Sequence, residues 1–496
     1  MHSMQQLSQE PDLTFDLAVI GSGPGGYEAA LRAAKAGMKV CLIEKGALGG
    51  VCINWGCIPT KALLRSAEVF DLVKKAELFG LKVQPGTIDL AEAVKRSRNV
   101  ALKMSKGVAF MLRRAGVDVR QGEAVFSSPH DLDIFRDGVR VERVTASHII
   151  IASGGHARTL PGLEPDGNRI ITSREALALK SVPTSMIVVG GGAIGVEMAW
   201  FYAMAGTAVT LVEMMPRLLP FEDEEIAEVL KRSLQKAGIT VATGAKLEQV
   251  AVVGDRVNAL LVAEGTDSRA LSADYLLVAV GVSGNCSGLG LEHAGVESSR
   301  GFIVTDSLCR TSAGHIFAIG DVRGGMLLAH KASAEAAIAV QTIAGAPSRP
   351  LDDSMIPRCV YAEPSVASIG LSEKQAEDGG CTVHVGRSMF ASSGKANAYG
   401  NLEGLVKLVF SAADGRLLGA HVVGHGAVEL IGELTLARHL AVTADILADT
   451  IHAHPTLSET IKEAAENALH VKASTLAKKA SLTSWPVLEN HFLLSF

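Results

Sequence analysis

Cys52 and Cys57 lie five positions apart in the segment Gly49-Gly50-Val51-Cys52-Ile53-Asn54-Trp55-Gly56-Cys57-Ile58-Pro59-Thr60-Lys61. Two thiols at this spacing admit three chemistries: half of a zinc site, a pair of inert core thiols, or a redox-active disulfide beside a bound flavin that exchanges with thiol substrates. A zinc site lacks a second cluster, since Cys41, Cys286, Cys309, Cys359 and Cys381 are scattered. Inert thiols would require neither the flanking glycines nor the nearby lysine. An undistorted helix holds positions i and i+5 too far apart for a disulfide. Gly56 can relax that geometry, and Pro59 suits the first turn of a helix that places Lys61 about one turn beyond Cys57.

A second cluster is His452-Ala453-His454-Pro455-Thr456-Leu457-Ser458-Glu459. Its two histidines have the ligand chemistry for a metal, but no third ligand is suggested nearby; the alternative is a pair of loop histidines without a role.

The elements that must position these groups contain an internal echo. Residues 15–20 form an apolar strand candidate, followed by Gly21-Ser22-Gly23-Pro24-Gly25-Gly26, an alanine-rich helix over 27–36 and a strand over 39–43 that ends at Glu44. The second copy runs from a strand over 185–189 through Gly190-Gly191-Gly192-Ala193-Ile194-Gly195, a helix over 196–205 and a strand over 207–212 to Glu213. First glycine and terminal acid are 23 residues apart in both. Each copy has the parts of a dinucleotide site. Gly21 and Gly190 permit the tight turn, Gly23 and Gly192 let backbone approach a pyrophosphate, and Gly26 and Gly195 permit close helix–strand packing. The helix N-terminus attracts phosphate, and the acid accepts from a ribose hydroxyl. Glu213 repels a 2′-phosphate, so the second nucleotide is expected to be NAD rather than NADP.

Composition bounds the rest. A chain of 496 residues is long enough for about three domains. At 48% hydrophobic and 20% charged residues it fills ordinary cores, which excludes disorder. A net charge of −5 gives no electrostatic case for nucleic acid. Seven cysteines make no dense disulfide framework and fit a reducing compartment, so a cytoplasmic location is expected. The N-terminal stretch lacks the basic head and apolar core of a secretory signal. Residues 186–212 are apolar enough to suggest a membrane span, but a glycine cluster between valine-rich runs reads as a buried β-α-β unit, and no span is expected.

The segment 49–64, with the order of motifs along nearly the whole chain, resembles the flavin-dependent pyridine nucleotide disulfide oxidoreductases. The resemblance implies an α/β fold with two Rossmann-like dinucleotide-binding domains and a C-terminal α+β dimerisation domain. FAD is implied in the unit from Gly21 to Glu44, with Gly154 and Asp321 contributing, and NAD in the unit from Gly190 to Glu213. The divisions expected are 1–150 for the first FAD part, 151–281 for NAD, 282–350 for the second FAD part, 351–473 for dimerisation, and 474–496 as an extension. Cys52 is implied as the interchange thiol and Cys57 as the charge-transfer thiol. Lys61 and Glu197 correspond to an ion pair near the flavin, and His454 to an acid–base residue oriented by Glu459 and serving the other subunit of a homodimer.

Two departures stand out. Gly281-Val282-Ser283-Gly284-Asn285 lacks the arginine common there, and Trp55 replaces a small or aliphatic residue between the cysteines. Within the family, the segments around Cys52 and His454 most resemble members that oxidise the dihydrolipoyl group of a carrier protein. The implied partner is a lipoyl-bearing domain of a 2-oxoacid dehydrogenase or glycine cleavage type complex. The alternatives are an NAD(P)H-dependent reductase of another disulfide and a flavoprotein with a mainly structural role. Beyond the nucleotide units, the sequence predicts short strands and turns over 239–264, one buried strand over 273–282 and a strand over 315–319. Strands are also expected over 358–361, 382–387, 405–410 and 417–423, with helices over 427–439 and 443–447.

Overall fold

Strand β1 (Thr14–Ile20) is buried from Leu17 to Ile20, and all five residues of β2 (Val40–Glu44) are buried. Apolar runs of this kind suit a parallel sheet covered on both faces. The computed structural model describes residues 13–84, 86–265 and 267–483, the last twelve of these as backbone only. Residues 1–12, and residues 484–496 of the expected C-terminal extension, lie outside them. Between β1 and β2 runs α1 (Pro24–Lys35). It starts three residues before the position expected from the sequence. Pro24 is preset for a first helical position, and the packing that Gly26 allows outweighs the poor helix propensity of two glycines. Next come α2 (Gly50–Trp55), α3 (Cys57–Lys74), and α4 (Leu90–Arg114), the last capped by the Asp89 side chain. Strands β3 (Asp118–Gln121), β4 (Glu123–Phe126), β5 (Asp131–Arg136) and β6 (Val139–Ile151) complete a sheet of order β3-β2-β1-β6-β5-β4, and Ile316–Ala318 pairs with β6.

The second nucleotide unit repeats the pattern. Strands Thr240–Thr243, Ala208–Glu213, Ser185–Val189, Tyr275–Val278 and Ile170–Ile171 form a parallel sheet in that order. Helix Ala193–Ala205 is buried throughout its centre and has thirteen residues, fewer than the roughly twenty that span a bilayer. Among the described residues no helix is long and apolar enough to cross a membrane. The single strand expected over 273–282 is divided. Arg269–Ala273 ends an antiparallel three-stranded sheet, Tyr275–Val278 is an inner strand of the parallel sheet, and Val282–Gly284 pairs with Gly155–Ala157. Gly281, at φ +116°, turns the chain between them. The segment over 239–264 holds longer strands than expected, Ala245–Val253 and Arg256–Ala263.

The chain divides into two compact units, one ending at Leu219 and resuming at Leu234–Asp353, the other comprising Pro220–Ser233 and the chain from Ser354. The second unit is built on an antiparallel sheet of order Arg358–Val360, Ser365–Gly370, Leu417–Gly424, Leu405–Ser411, Val383–Met389. Helices Ala427–His439, Ala444–Asp449 and Glu459–Thr483 follow, and the last runs through the expected boundary at 473. Register aligns Arg358, Ser368, His421, Lys407 and Arg387 across all five strands. Acids of segment 220–233 answer this polar row. Arg358 Nε lies 2.9 Å from Glu222, buried Lys407 Nζ 2.9 Å from Asp223 and 2.6 Å from Glu225, and Arg387 Nη2 2.6 Å from Glu225. These pairs explain why fourteen residues from the middle of the chain belong to the second unit.

Candidate active site

Gly56 separates the two cysteine-bearing helices. Cys52 lies in α2 and Cys57 opens α3, so the five-residue spacing never has to fit one regular helix. A Cβ on Gly56 would stand 3.2 Å from the Val51 carbonyl, a tight fit to backbone that cannot easily move. Asn54 fastens the bend by donating through Nδ2 to the carbonyls of Leu48 (3.1 Å) and Gly50 (3.0 Å). Both thiols are half-buried and carried as an unlinked dithiol, with a hydrogen bond between the sulfurs. That bond pulls the Cys57 thiol below the ordinary cysteine range, helped by the Lys61 ammonium and by its own backbone N–H at the start of α3. Donation to Cys57 and burial push Cys52 the other way. Both directions make Cys57 the more acidic thiol of the pair.

Lys61 is one turn along α3. Its Nζ donates to both oxygens of Glu197, at 3.1 and 2.9 Å, and the Glu197 side chain is only 6% exposed. A carboxylate in a helix as apolar as Ala193–Ala205 needs such a partner.

The redox segment is docked directly on the first glycine turn. Gly49 N–H donates to the Ser22 carbonyl at 3.1 Å, and a Cβ on Gly50 would come within 2.7 Å of the Gly23 Cα. The two turns are built alike. A Cβ on Gly21 would lie 2.4 Å from the Ala152 carbonyl oxygen, and one on Gly26 1.9 Å from that of Gly21. In the second copy the corresponding approaches are 2.3 Å for Gly190 and 1.8 Å for Gly195. Gly23 and Gly192 differ, for a Cβ on either would meet nothing within 4 Å. That open space ahead of a helix N-terminus is where a pyrophosphate fits. Glu44 accepts from Ser22 N–H (2.8 Å) and Gly46 N–H (2.6 Å), while Glu213 accepts from Gly191 N–H (2.5 Å) and Met215 N–H (2.7 Å). Both acids thus stand at the lip of their turn as ribose acceptors would.

Asp321 lies in the 3-10 turn Gly320–Arg323, where burial raises its carboxyl above the usual range. The turn is held from below by fully buried Glu335, which accepts from Gly320 N–H at 2.7 Å and pairs with Arg323 at 2.5 Å and Lys331 at 2.8 Å. Gly154 has φ +74° and open space about it. The departure at 281–285 is filled by Asn285. Its N–H donates to the Gly154 carbonyl (2.9 Å), its Nδ2 to that of Ser153 (2.8 Å), and its Oδ1 meets His156 Nδ1 at 2.8 Å.

His454 and Glu459 belong to the second compact unit. His454 Nδ1–H donates to Glu459 Oε1 at 2.9 Å, and the other carboxylate oxygen accepts from Thr456 N–H at 2.8 Å. The Thr456 bond, then the one from His454, holds the Glu459 carboxyl below its usual range. A committed acceptor on Nδ1 leaves Nε2 as the basic nitrogen, on a side chain 79% exposed. The His452 side chain is instead only 6% exposed, with Nε2 2.8 Å from Glu433 and Nδ1 3.1 Å from the Thr450 carbonyl. Among the described residues no cluster of histidine, cysteine or acid could hold a metal ion.

Several positioning groups carried no signal in the sequence. Ser22, Asn54, Asn285 and Glu335 act through partners fixed by the fold, and their types alone suggest nothing. A trace existed for Trp55, which departs from the family pattern; both Arg98 and Arg174 lie over its ring, at 4.1 and 4.5 Å from the centroid.

Comparison with known proteins agrees with this geometry. The chain is 65% identical over 455 residues to a dihydrolipoyl dehydrogenase of Chlorobaculum tepidum, covering 92% of this chain and 97% of that one. It is 43% identical to a dihydrolipoyl dehydrogenase of Rhizobium etli, covering 91% and 97%. Among solved structures, LpdA from Mycobacterium tuberculosis superposes with a TM-score of 0.84 at 29% identity, covering 92% of this chain and 99% of that one. The HOCl-induced flavoprotein disulfide reductase RclA from Escherichia coli follows at 0.81, with 28% identity and coverage of 91% and 99%. The family model for pyridine nucleotide-disulphide oxidoreductase matches residues 15–336, and that for its dimerisation domain residues 356–465. With both turns, the dithiol and these matches in register, the chain belongs to the pyridine nucleotide-disulphide oxidoreductase family.

Proposed function

We propose that the chain oxidises the dihydrolipoyl group of a carrier protein to lipoyl, with FAD resident and NAD⁺ as final acceptor. The observation that carries this reading is the docking of the Cys52–Cys57 segment on the Gly21–Gly26 turn, which couples thiol exchange to a nucleotide site. The residues that would hold FAD are Gly21, Gly23, Gly26, Glu44, Gly154 and Asp321, and those for NAD are Gly190, Gly192, Gly195 and Glu213. When bound, FAD supplies a two-electron acceptor for the dithiol and NAD⁺ a hydride acceptor.

The chain's own residues handle sulfur and protons. With Cys52 and Cys57 joined as a disulfide, His454 Nε2 takes a proton from one substrate thiol, and the thiolate attacks the Cys52 sulfur, releasing Cys57 as thiolate. The second substrate thiol then displaces Cys52, closing the cyclic disulfide of the product and leaving both protein cysteines reduced. Lys61, the Cys52 S–H and the α3 N-terminus hold the negative charge on Cys57. Glu459 keeps the His454 ring oriented. In this reading the enzyme is a homodimer in which His454 of one subunit serves the dithiol of the other. Residues 1–150 and 282–350 form the FAD domain, 151–281 the NAD domain, 351–473 the interface and 474–496 an extension. The scattered free cysteines suit the cytoplasm.

The test is an anaerobic titration of the flavin-loaded protein with dihydrolipoamide, followed by NAD⁺. Two-electron reduction with a long-wavelength thiolate–flavin band, then rapid NADH formation, supports the reading. Bound flavin that dihydrolipoamide fails to reduce overturns it, and the likeness to RclA would then favour an NAD(P)H-dependent reductase of another disulfide.

A further inference from the structure

Trp55 ends α2 three residues after Cys52, and positions i and i+3 share one face of a helix. Both cations over its ring reach it from elsewhere in the chain, Arg98 from α4 and Arg174 from the short helix Ser173–Ala176. Burial and then the charge of Arg174 lower the affinity of Arg98 for its proton. Arg98 Nη2 donates to the Asn54 carbonyl, but its buried Nη1 has no acceptor. Neither guanidinium is paired with a carboxylate among the described residues. Two like charges on one indole without a counter-ion are costly, and the bend at Asn54 needs only one of them.

The same helix concentrates positive charge. From Leu90 to Arg114, α4 carries Lys95, Arg96, Arg98, Lys103, Lys106, Arg113 and Arg114 against Glu92, in a chain whose net charge is −5. Lys95, Arg96 and Lys103, with Glu92 paired to Lys95, line a concavity of about 330 Å³ on its surface. The helix packed against both cysteine-bearing helices is therefore positive while the protein as a whole is acidic. Arg174, at an exposed position, stacks on the ring with a flat donor edge of the kind that suits carboxylates, while half-buried Arg98 adds positive charge.

We propose that Arg98 and Arg174 on Trp55, with the basic run of α4, form a carboxylate-recognising approach that selects dihydrolipoyl groups carried on an acidic protein surface. The inference rests on the dihydrolipoyl reading above and adds the charge of the partner. Such a surface speeds encounter and fixes orientation without touching the sulfur chemistry, so its contribution is absent for free dihydrolipoamide and is screened by salt.

The experiment uses the flavin-loaded enzyme with NAD⁺ and three substrates: free dihydrolipoamide, a dihydrolipoyl-lysine peptide flanked by glutamates, and one of equal length flanked by lysines. The acidic peptide is expected to have a kcat/KM roughly tenfold above the basic one at low salt. The advantage shrinks as salt rises from about 0.01 M to about 1 M, where the screening length falls to about 3 Å. The double variant Arg174→Glu/Lys103→Glu, both at exposed positions, removes or reverses the preference and leaves free dihydrolipoamide within about twofold of wild type. Retained flavin and an unchanged melting temperature show that the variant is folded; should it fail to fold, Arg174→Gln alone is expected to reduce the preference. Equal kcat/KM for the two peptides in the wild type, or a preference undiminished in a folded variant, overturns the inference. Failure of the wild type to oxidise free dihydrolipoamide overturns the underlying reading and this inference with it.

Discussion

At the residue scale the site separates two jobs between chemically identical groups. The hydrogen bond between them raises the Cys52 thiol and lowers that of Cys57, while the Lys61 charge favours the thiolate at both sulfurs. Replacing Lys61 by Met should raise the midpoint at which Cys57 ionises, read from the pH dependence of thiolate absorbance in the reduced protein. It also removes the ammonium that pairs with buried Glu197, and a lower melting temperature is expected, equivalent to about 1–3 kcal/mol, less than for a fully buried pair because Lys61 still reaches water. His454→Gln should reduce kcat with dihydrolipoamide by roughly 10²–10⁴, the span of positioned proton transfer. Glu459→Gln should cost less, since it leaves the base in place and removes only its orientation. Type and spacing singled out the two thiols with a nearby lysine and the histidine pair, whereas the roles given to Lys61, His454 and Glu459 came from the family resemblance. Ser22 and Asn285 were not, since their partners lie 27 and 132 residues away and a serine or asparagine on a loop has many uses.

At the element scale, each nucleotide turn assigns its glycines to different tasks. Gly26→Ala and Gly195→Ala drive a methyl into a carbonyl oxygen within 2 Å, and the expected outcome is loss of soluble, folded protein. Gly23→Ala and Gly192→Ala meet open space at ordinary φ angles of −62° and −77°. Their melting temperatures should stay near wild type, while flavin retention in the first and NADH affinity in the second fall by about tenfold or more, near 1.4 kcal/mol. A folded variant that kept full affinity would remove the turn as the phosphate cradle. The β-α-β units could be read from sequence because apolar strands, glycines and an acid recur in order. Ser365–Gly370 was missed, since its six buried residues, SVASIG, are mostly small or polar and make a strand only through neighbours on both sides. The division of 273–282 was hidden because only Asp274 and Gly281 mark the breaks in a run that is otherwise apolar.

At the scale of the whole molecule, the dithiol and the His454–Glu459 pair belong to different compact units, which makes subunit exchange informative. If His454 serves the other subunit, mixing inactive Cys52→Ser and His454→Gln homodimers should restore about a quarter of wild-type activity. Random exchange makes half the dimers mixed, each with one intact site. No recovery after verified exchange would place base and dithiol in the same chain. Acid should weaken the second unit through His421, fully buried with Nε2–H donating to Leu371 and Nδ1 unpartnered. Burial lowers its proton affinity, outweighing the pull of Asp223 and Glu222. The unfolded chain therefore protonates first, and stability falls as pH drops through the ordinary histidine range near 6.5. Differential scanning calorimetry across that range should show the loss, and a smaller one in His421→Gln.

The polar row on the second unit's sheet also governs how such a gene can be recombined. Swapping the C-terminal domain with a relative at residue 353 would leave Lys407, 3% exposed, facing whatever residues the host supplies at 223 and 225. A viable chimera must inherit residues 220–233 with the domain they serve, so the unit of exchange is two stretches of coding sequence rather than one.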